Sequence, residues 1–292
     1  MPIRPRRSAL YMPGSNARAL EKAKMLAADV VIFDLEDAVA PEAKVSAREQ
    51  VVAAVTLGGY GDRELVVRIN GLDTPWGRED LAKASETAPD AILVPKVSTA
   101  GQLRAVGTAL ASAPEKVRVW AMIETTLGIL NLREIAEAAR DPSTRLTCFV
   151  LGTNDLAKET RAELDQNRTA ALYWLSAAVT AARAYGIDVL DGVYNAFRDI
   201  DGFRRECIQG RQLGMDGKTL IHPDQIAPAN EVYSPAAAEV EWSRKILAAF
   251  AEPQNHNKGV ITVDGRMVEL LHAEIARRTV EIAEAIAARE NA

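Results

Sequence analysis

Short apolar runs alternate along the chain with longer segments in which apolar residues recur at helical spacing. Continuous apolar runs are typical of strands buried on both faces, and their alternation with amphipathic helices predicts a parallel sheet covered by helices. The predicted strands are residues 8–12, 29–33, 65–69, 91–94, 117–123, 146–151, 187–190 and 218–221. The segments predicted as helices include residues 16–28, 41–56, 99–111, 130–139, 169–185 and 200–213.

The number and spacing of the predicted strands favour one α/β architecture. Successive strands begin about 30 residues apart, which is the length of a βαβ unit. Eight such units favour a closed (β/α)8 TIM barrel over an open sheet. No Gly-x-Gly-x-x-Gly follows a predicted strand and no Gly-x-x-x-x-Gly-Lys-Ser/Thr occurs, so the Rossmann and P-loop folds lack their sequence signatures. We therefore predict a barrel domain over residues 1–230.

The remaining residues, 231–292, predict a C-terminal helix–hairpin–helix extension. Its elements are predicted as a helix over residues 235–250 with Ser234 as N-cap, a hairpin over residues 259–270 and a helix over residues 272–288. Asp264-Gly265 is the dipeptide that favours a type I′ hairpin turn. Because an isolated hairpin is only marginally stable in water, we expect this extension to pack on its own barrel or on a neighbouring subunit.

Composition narrows the function classes. The chain of 292 residues carries 35 basic and 40 acidic side chains, a net charge of −5, which argues against a nucleic-acid partner. Its basic cluster, Arg4, Arg6 and Arg7, is predicted to be a solvated tail. No apolar run approaches the ~18 residues needed to span a bilayer, and the first twenty residues lack a signal-peptide core, so a cytoplasmic location is expected.

Ionisable side chains follow most of the predicted strands. The active site of a (β/α)8 barrel lies at the C-terminal ends of its strands, so these side chains are expected to converge on one mouth. They are Asp34, Glu36, Asp37, Arg68, Lys96, Glu124, Asp155, Asp191 and His222.

Glu124 and Asp155 are the candidate metal ligands. They follow different strands, and no His or Cys lies nearby in the sequence. Carboxylate oxygens with positions left open for water and substrate suit Mg²⁺ better than zinc. The alternative is that both are rim residues or helix caps.

Asp34, Glu36 and Asp37 form an acidic triplet after the second predicted strand. These carboxylates would repel one another unless a cation or hydrogen-bond donors lie between them; the alternative is capping of the helix that begins near Pro41. A buried Arg68 requires a carboxylate partner or an anionic ligand, and the alternative to a functional role is an ion pair with Asp34 or Glu36.

Four further features carry weaker signals. Lys96 is a Schiff-base candidate if its pKa is depressed, or else an ion-pair partner of an acid. His222 is either a general base or a hydrogen-bonded orienting residue. The segment Gly152, Thr153 and Asn154 could offer backbone N–H groups to a small carboxylate. Asn16, Arg18 and Lys22 at the first helix could bind phosphate, although a plain Asn cap explains this segment equally well.

The order and spacing of these motifs resemble the citrate lyase β-subunit family of the HpcH/HpaI aldolase superfamily, which includes malyl-CoA and citramalyl-CoA lyases. The resemblance spans nearly the whole chain. It rests on Arg7-Ser8-Ala9-Leu10-Tyr11-Met12-Pro13-Gly14, Phe33-Asp34-Leu35-Glu36-Asp37-Ala38-Val39, Val67-Arg68-Ile69-Asn70, Pro95-Lys96, Ile123-Glu124-Thr125, Gly152-Thr153-Asn154-Asp155-Leu156 and Ile221-His222-Pro223.

The resemblance implies specific roles and a homotrimeric or hexameric assembly. Glu124 and Asp155 match acids that bind Mg²⁺, with Mn²⁺ as an alternative ion, and Arg68 matches an arginine that polarises the reacting oxygens. Glu36 and Asp37 match acids that hold metal-bound waters. The first βα loop, near which the CoA nucleotide binds in such enzymes, carries Asn16, Arg18 and Lys22 here. A C-terminal lid reaches over the neighbouring subunit's site in such enzymes.

Glu269 departs from the family pattern. It lies in Gly265-Arg266-Met267-Val268-Glu269, where the lyases carry an Asp. The extra methylene moves the carboxylate by about 1 Å, a displacement that can cost ~10²-fold in rate. In the lyase mechanism this acid, from a neighbouring subunit, would exchange the proton at the enolate carbon.

The function predicted first is therefore a Mg²⁺-dependent lyase that cleaves a malyl-CoA-like thioester to acetyl-CoA and glyoxylate. The alternatives are a malyl-CoA thioesterase, which the Glu269 departure would explain, and a citrate lyase β subunit that acts only with an acyl carrier protein. A short 2-keto-acid aldolase without CoA is ranked last, because it would need neither the long extension nor Arg18 and Lys22.

Overall fold

A computed structural model of the chain describes residues 3–290. These residues divide into two compact units. One unit is Arg6–Glu231, and the other comprises residues 3–5 and 232–290.

The first unit is a closed barrel of eight parallel strands, which confirms the predicted TIM barrel. The strands are β1 (Ser8–Pro13), β2 (Val30–Asp34), β3 (Glu64–Arg68), β4 (Ala91–Val94), β5 (Arg118–Ile123), β6 (Leu146–Leu151), β7 (Asp188–Asp191) and β8 (Gly217–Leu220). Each strand pairs with the next one along the chain, and β1 pairs with β8 to close the barrel. Every strand boundary lies within one residue of its predicted position.

Helices cover the outside of the barrel. They are α1 (Ala17–Ala23), α2 (Lys44–Leu57), α3 (Gly77–Thr87), α4 (Ala100–Ala109), α5 (Thr126–Leu130), α6 (Leu132–Glu137), α7 (Thr153–Thr160), α8 (Leu172–Ala184), α9 (Ile200–Leu213) and α10 (Ile226–Tyr233). The predicted helix over residues 130–139 is broken at Asn131, which leaves the helical conformation and donates its amide to the Ser98 carbonyl. None of the helices within residues 3–290 is long and apolar enough to cross a bilayer.

The alternation of side chains along the strands determines which residues face the barrel axis. The inward core contains Ala9, Val30, Ile32, Val66, Ala91, Leu93, Trp120, Met122, Cys148, Val150 and Leu190. Side chains two apart on a strand share a face. The next inward positions toward the C-terminal ends are therefore Asp34, Arg68, Glu124 and Gly152.

The prediction of a solvated basic tail is wrong for Arg6 and Arg7. Arg7 is 5% exposed and makes a bidentate ion pair with Asp29 at 2.9 and 3.0 Å. Arg6 donates twice to Glu64 at 2.7 Å and lies 4.9 Å from the Trp120 ring centroid. Both arginines precede β1, so they close the end of the barrel opposite the strand C-termini.

The second unit contains α11 (Ala237–Ala251), β9 (Val260–Val263), β10 (Arg266–Glu269) and α12 (Leu270–Glu290). The type I′ turn is confirmed, since Asp264 and Gly265 have φ values of 46° and 76°. The predicted N-cap is wrong: α11 begins after Ala236, whose N–H donates to Glu239 Oε2 at 3.0 Å. A small apolar core of Ile246, Ile261, Val263, Val268, Ala273 and Ala276 holds this unit together.

Candidate active site

Asp34, at the end of β2, is a buried anchor. Its Oδ1 accepts the Glu36 N–H at 2.9 Å, and its Oδ2 accepts the Ala38 N–H at 3.0 Å. The same two oxygens accept Arg68 Nε at 2.7 Å and Nη2 at 2.6 Å. Asp34 therefore fixes both the loop after β2 and the guanidinium of Arg68.

Arg68 has a structural partner and also faces the other two acids of the triplet. Its Nη1 lies 3.1 Å from Glu36 Oε2 and 3.1 Å from Asp37 Oδ2. Its guanidinium carbon lies 4.7 Å from the Tyr11 ring centroid, a cation–π contact. The ion pair with Asp34 that was expected as the alternative for Arg68 is thus present. It directs Nη1 toward Glu36 and Asp37 at the mouth of the barrel.

Tyr11 and Met122 belong to this site although the sequence analysis assigned them no role. The Tyr11 hydroxyl contacts Met122 Sδ at 3.9 Å, and Arg68 Nη1 contacts the same sulfur at 3.8 Å. Burial raises the pKa of Tyr11 above its ordinary value, so its ring is a neutral support for the guanidinium. Tyr11 lies two residues after the inward-facing Ala9, so strand alternation places it on the inner face as well, and this is the signal that could have identified it.

Glu124 follows β5 and is almost completely buried. Its Oε1 accepts the Lys96 N–H at 2.8 Å, whereas its Oε2 is buried without a hydrogen-bond partner. Burial, followed by the charge of Glu36, raises the pKa of Glu124 to about 7, and the charge of Asp155 contributes in the same direction. A carboxylate that is desolvated and surrounded by other acids is a favourable position for a cation.

Asp155 is the third residue of α7, whose N-cap, Gly152, provides no side-chain cap. Within residues 3–290 its carboxylate takes part in no hydrogen bond or ion pair, so the capping alternative is not observed for this residue. Its charge acts on Glu124, which places the two candidate ligands near each other.

These two residues fit a Mg²⁺ ion. The unpartnered Glu124 Oε2 is available as a ligand, and the missing side chain of Gly152 leaves room beside it, since a Cβ there would lie 2.4 Å from Glu124 Cβ. The described part of the chain has no group of three or more His, Cys, Asp or Glu side chains that could hold a metal. Two carboxylates supplemented by water and substrate are the ligand set that Mg²⁺ accepts.

The predicted carboxylate site lies at the start of α7. The first intrahelical hydrogen bond runs from the Leu156 N–H to the Gly152 carbonyl, so the N–H groups of residues 153–155 have no intrahelical partner. Thr153 is buried, and the Asn154 amide exchanges two hydrogen bonds with Asn195 at 3.2 and 2.9 Å. A cavity of about 260 Å³ lined in part by Thr153, Asn154 and Asn195 adjoins this segment.

Lys96 contacts two of the site acids. Its Nζ donates to Glu36 Oε1 at 2.5 Å. Burial lowers the pKa of Lys96, but the hydrogen bond to Glu36 and its charge hold that pKa above the usual value. The raised pKa and the contact with Glu36 favour the ion-pair alternative over the Schiff-base role, which needs a depressed pKa.

Asp191 and His222 are not free site groups. Arg168 binds Asp191 at 2.7 and 2.8 Å, and Lys218 binds it at 3.0 Å. Burial would raise the pKa of Asp191, but the charges of Lys218 and Arg168 lower it. His222 stacks on Phe197, with ring centroids 4.6 Å apart, and its Nδ1 accepts the Asp224 N–H at 3.2 Å, which favours the orienting role over the general base.

The remaining predicted residues lie elsewhere. Asn16 caps α1 by accepting the Ala19 N–H at 3.1 Å, as the cap alternative expected. Arg18 and Lys22 are exposed and form no ion pair within the described residues. Glu269 ends β10 in the second unit, where its N–H donates to His272 Nδ1 at 3.0 Å.

Comparison with known proteins identifies relatives over nearly the full length. The profile of the HpcH/HpaI aldolase/citrate lyase family matches residues 7–223. A (3S)-malyl-CoA thioesterase of Cereibacter sphaeroides is 51% identical over 97% of this chain and 96% of that protein. An L-malyl-CoA/beta-methylmalyl-CoA lyase of the same species is 37% identical over 98% of this chain and 97% of that protein.

A solved structure with the same fold contains ligands. It is the crystal structure of protein CitE from Mycobacterium tuberculosis in complex with magnesium, acetoacetate and coenzyme A. That structure is 30% identical, has a TM-score of 0.73, and the match covers 94% of this chain and 97% of that one.

Proposed function

The chain belongs to the HpcH/HpaI aldolase/citrate lyase family, and we propose that it hydrolyses a malyl-CoA-like thioester to the free hydroxy acid and coenzyme A. The observation that carries the proposal is the 51% identity over 97% of the chain to a (3S)-malyl-CoA thioesterase. Identity to a malyl-CoA lyase is lower, at 37%. Hydrolysis is therefore preferred to the carbon–carbon cleavage that the sequence analysis ranked first.

Glu124 and Asp155 are the proposed ligands of Mg²⁺. The related CitE structure is a complex with magnesium, which supports this choice of ion. When bound, Mg²⁺ would supply positive charge that polarises the hydroxyl and carboxylate oxygens of the acyl group. The chain's own contribution is to keep Glu124 Oε2 free and buried. Gly152 contributes by leaving the space that a larger residue would take from Glu124.

Arg68 is proposed to stabilise the oxyanion that forms at the thioester carbonyl. Hydrolysis converts this carbonyl into a tetrahedral intermediate with a negative oxygen, and fixed donors aimed at that oxygen lower the barrier. Asp34 and Tyr11 hold the guanidinium from two sides. A donor held in this way needs no reorganisation when the charge develops.

Glu36 and Asp37 are proposed to orient and deprotonate the attacking water. The water oxygen bonds to the thioester carbon, and its proton passes to a carboxylate. The carbon–sulfur bond then breaks, and the departing thiolate takes up a proton. Burial raises the pKa of Glu36 despite the opposing charge of Arg68, which brings this carboxyl closer to the pH at which a general base works best.

The two ends of the substrate have separate proposed sites. The backbone N–H groups of Thr153 and Asn154 would bind the terminal carboxylate of the acyl group, whereas the Gly152 N–H already donates to the Ile123 carbonyl at 3.0 Å. Asn16, Arg18 and Lys22 would lie along the CoA nucleotide, with the exposed Arg18 and Lys22 available for its phosphates.

Residues 231–292 are proposed as a lid and oligomerisation segment. In a homotrimer or hexamer, Glu269 of one copy would enter the site of another, and its longer side chain would disfavour the proton exchange that the lyases require. A monomer with full activity would contradict this part of the proposal.

A carbon–carbon lyase is the second candidate, because Arg68 and the two proposed metal ligands would serve that reaction equally well. A citrate lyase β subunit is the third, and it would act only when an acyl carrier protein is added.

The test is to incubate the purified chain with (S)-malyl-CoA, with Mg²⁺ and with a chelator, and to identify the products by mass spectrometry. We expect malate and free CoA, both lost on chelation. Acetyl-CoA and glyoxylate as the main products would contradict hydrolysis and support the lyase. Turnover that appears only with an acyl carrier protein would support the third candidate.

A further inference from the structure

Two oxygens at the mouth of the barrel share an uncommon property. Glu36 Oε2 and Glu124 Oε2 are among the buried side-chain atoms of residues 3–290 that have no hydrogen-bond partner, although Glu36 Oε2 forms an ion pair with Arg68 Nη1 at 3.1 Å. In each carboxylate the other oxygen is occupied by Lys96: its N–H donates to Glu124 Oε1 at 2.8 Å, and its Nζ donates to Glu36 Oε1 at 2.5 Å. One residue therefore engages one oxygen of each acid.

The backbone of Lys96 is unusual at this point. Its φ of 52° lies in the left-handed region, which residues other than Gly, Asn and Asp rarely adopt. The residue directly after it, Val97, donates its N–H to the Met122 carbonyl at 3.2 Å, which ties this turn to β5. Non-glycine residues persist in such conformations where the surrounding structure holds them, and they cluster at functional sites.

We infer that Lys96 is a positioning residue that fixes one oxygen of each of two carboxylates. This leaves Glu124 Oε2 for the divalent cation and Glu36 Oε2, beside Arg68, for the attacking water. This inference has two halves. The Glu36 half, that Lys96 fixes this acid for the attacking water, rests on the proposed hydrolysis. The Glu124 half, that Lys96 fixes this acid for the cation, concerns cation binding alone and does not depend on which reaction follows.

The two halves predict opposite effects of removing the ammonium. Its charge acts on Glu36, Glu124 and Asp37, so its loss leaves the site more negative and favours a divalent cation. The same loss removes the hydrogen bond that fixes Glu36 Oε1, which slows turnover. A residue that only supported the fold would not strengthen one property while weakening the other.

The test compares Lys96→Met with Lys96→Val. Both variants lose the ammonium, but a β-branched residue resists the left-handed φ, so only the Val variant should move the N–H away from Glu124. Mg²⁺ is titrated calorimetrically into the metal-free proteins without substrate, and kcat and KM are measured separately. Lys96→Arg tests rescue, and Lys83→Met, which removes an exposed lysine paired with Glu86, is the control.

For Lys96→Met we expect a Mg²⁺ Kd equal to or below that of the wild type and a kcat about 10- to 100-fold lower, with little change in KM. Lys96→Val should raise the Mg²⁺ Kd about tenfold or more. Lys96→Arg should recover most of the lost kcat.

Equal Mg²⁺ affinities of the Met and Val variants would overturn the Glu124 half. Wild-type kcat in Lys96→Met would overturn the Glu36 half. If the wild-type protein cleaves the carbon–carbon bond, the proposed function fails, but the Mg²⁺ affinities still decide the Glu124 half. Absence of Mg²⁺ binding by the wild type would contradict the metal site and this half together.

Discussion

Arg68→Lys is expected to lower kcat/KM for the thioester by about 10²- to 10³-fold, the usual effect of losing one preorganised donor to an oxyanion. Lysine keeps the positive charge beside the buried Asp34, so the variant should still fold. It cannot reproduce the bidentate fork that holds both Asp34 oxygens and directs Nη1 to the mouth. Steady-state kinetics with malyl-CoA measure the effect.

Arg7→Lys is the matched control for this variant. Arg7 forms the same kind of buried bidentate pair, with Asp29, at the opposite end of the barrel. Both substitutions should lower the melting temperature to a similar extent, but only Arg68→Lys should lose activity. Equal activity losses in the two variants would assign the effect to stability, and wild-type turnover in Arg68→Lys would remove Arg68 from the mechanism.

Glu124→Gln is expected to abolish measurable Mg²⁺ binding and to reduce hydrolysis about 10³-fold, because the amide removes the charge that holds the cation. Calorimetry and product assays measure both effects. Glu159→Gln is the control, since Glu159 is an exposed acid of α7 that accepts two hydrogen bonds from Thr126. Mg²⁺ binding retained by Glu124→Gln would contradict the proposed ligand set.

The same variant should change the pH dependence of stability in the metal-free protein. The pKa of Glu124 rises from 4.5 to about 7 on folding. The folded state is therefore favoured while the proton is bound, below about pH 4.5, and this contribution is lost as the pH rises through 7. The loss is about 3 kcal/mol. Glu124→Gln lacks this titrating group. The free energy of unfolding, measured by denaturation at pH 5 and at pH 8, should therefore change less with pH in the variant than in the wild type.

The inward positions of the site residues could be predicted from the sequence because strand alternation is a local property. Asp34, Arg68 and Glu124 each follow an inward core residue by two positions. The strand boundaries were also predictable, since continuous apolar runs identify strands of a parallel sheet. The alternation of side chains along a strand does not, however, determine which charged side chains form ion pairs across the mouth of the barrel.

Features that depend on distant contacts were not predictable. Arg6 and Arg7 were expected in solvent because their partners, Asp29 and Glu64, lie on other segments of the chain. The left-handed backbone of Lys96 has no sequence signature, since lysine gives no local preference for it. The support of Arg68 by Tyr11 likewise depends on the register of β1, β2 and β3 around the barrel.

The most direct test of hydrolysis without carbon–carbon cleavage is an isotope-exchange measurement. The wild-type protein is incubated with unlabelled (S)-malyl-CoA, Mg²⁺ and ¹³C-labelled glyoxylate, and the malate and remaining malyl-CoA are analysed by mass spectrometry. Direct attack of water on the thioester predicts unlabelled malate, released together with free CoA. Label in malyl-CoA or malate would show that the carbon–carbon bond breaks and re-forms at this site, and it would contradict the account.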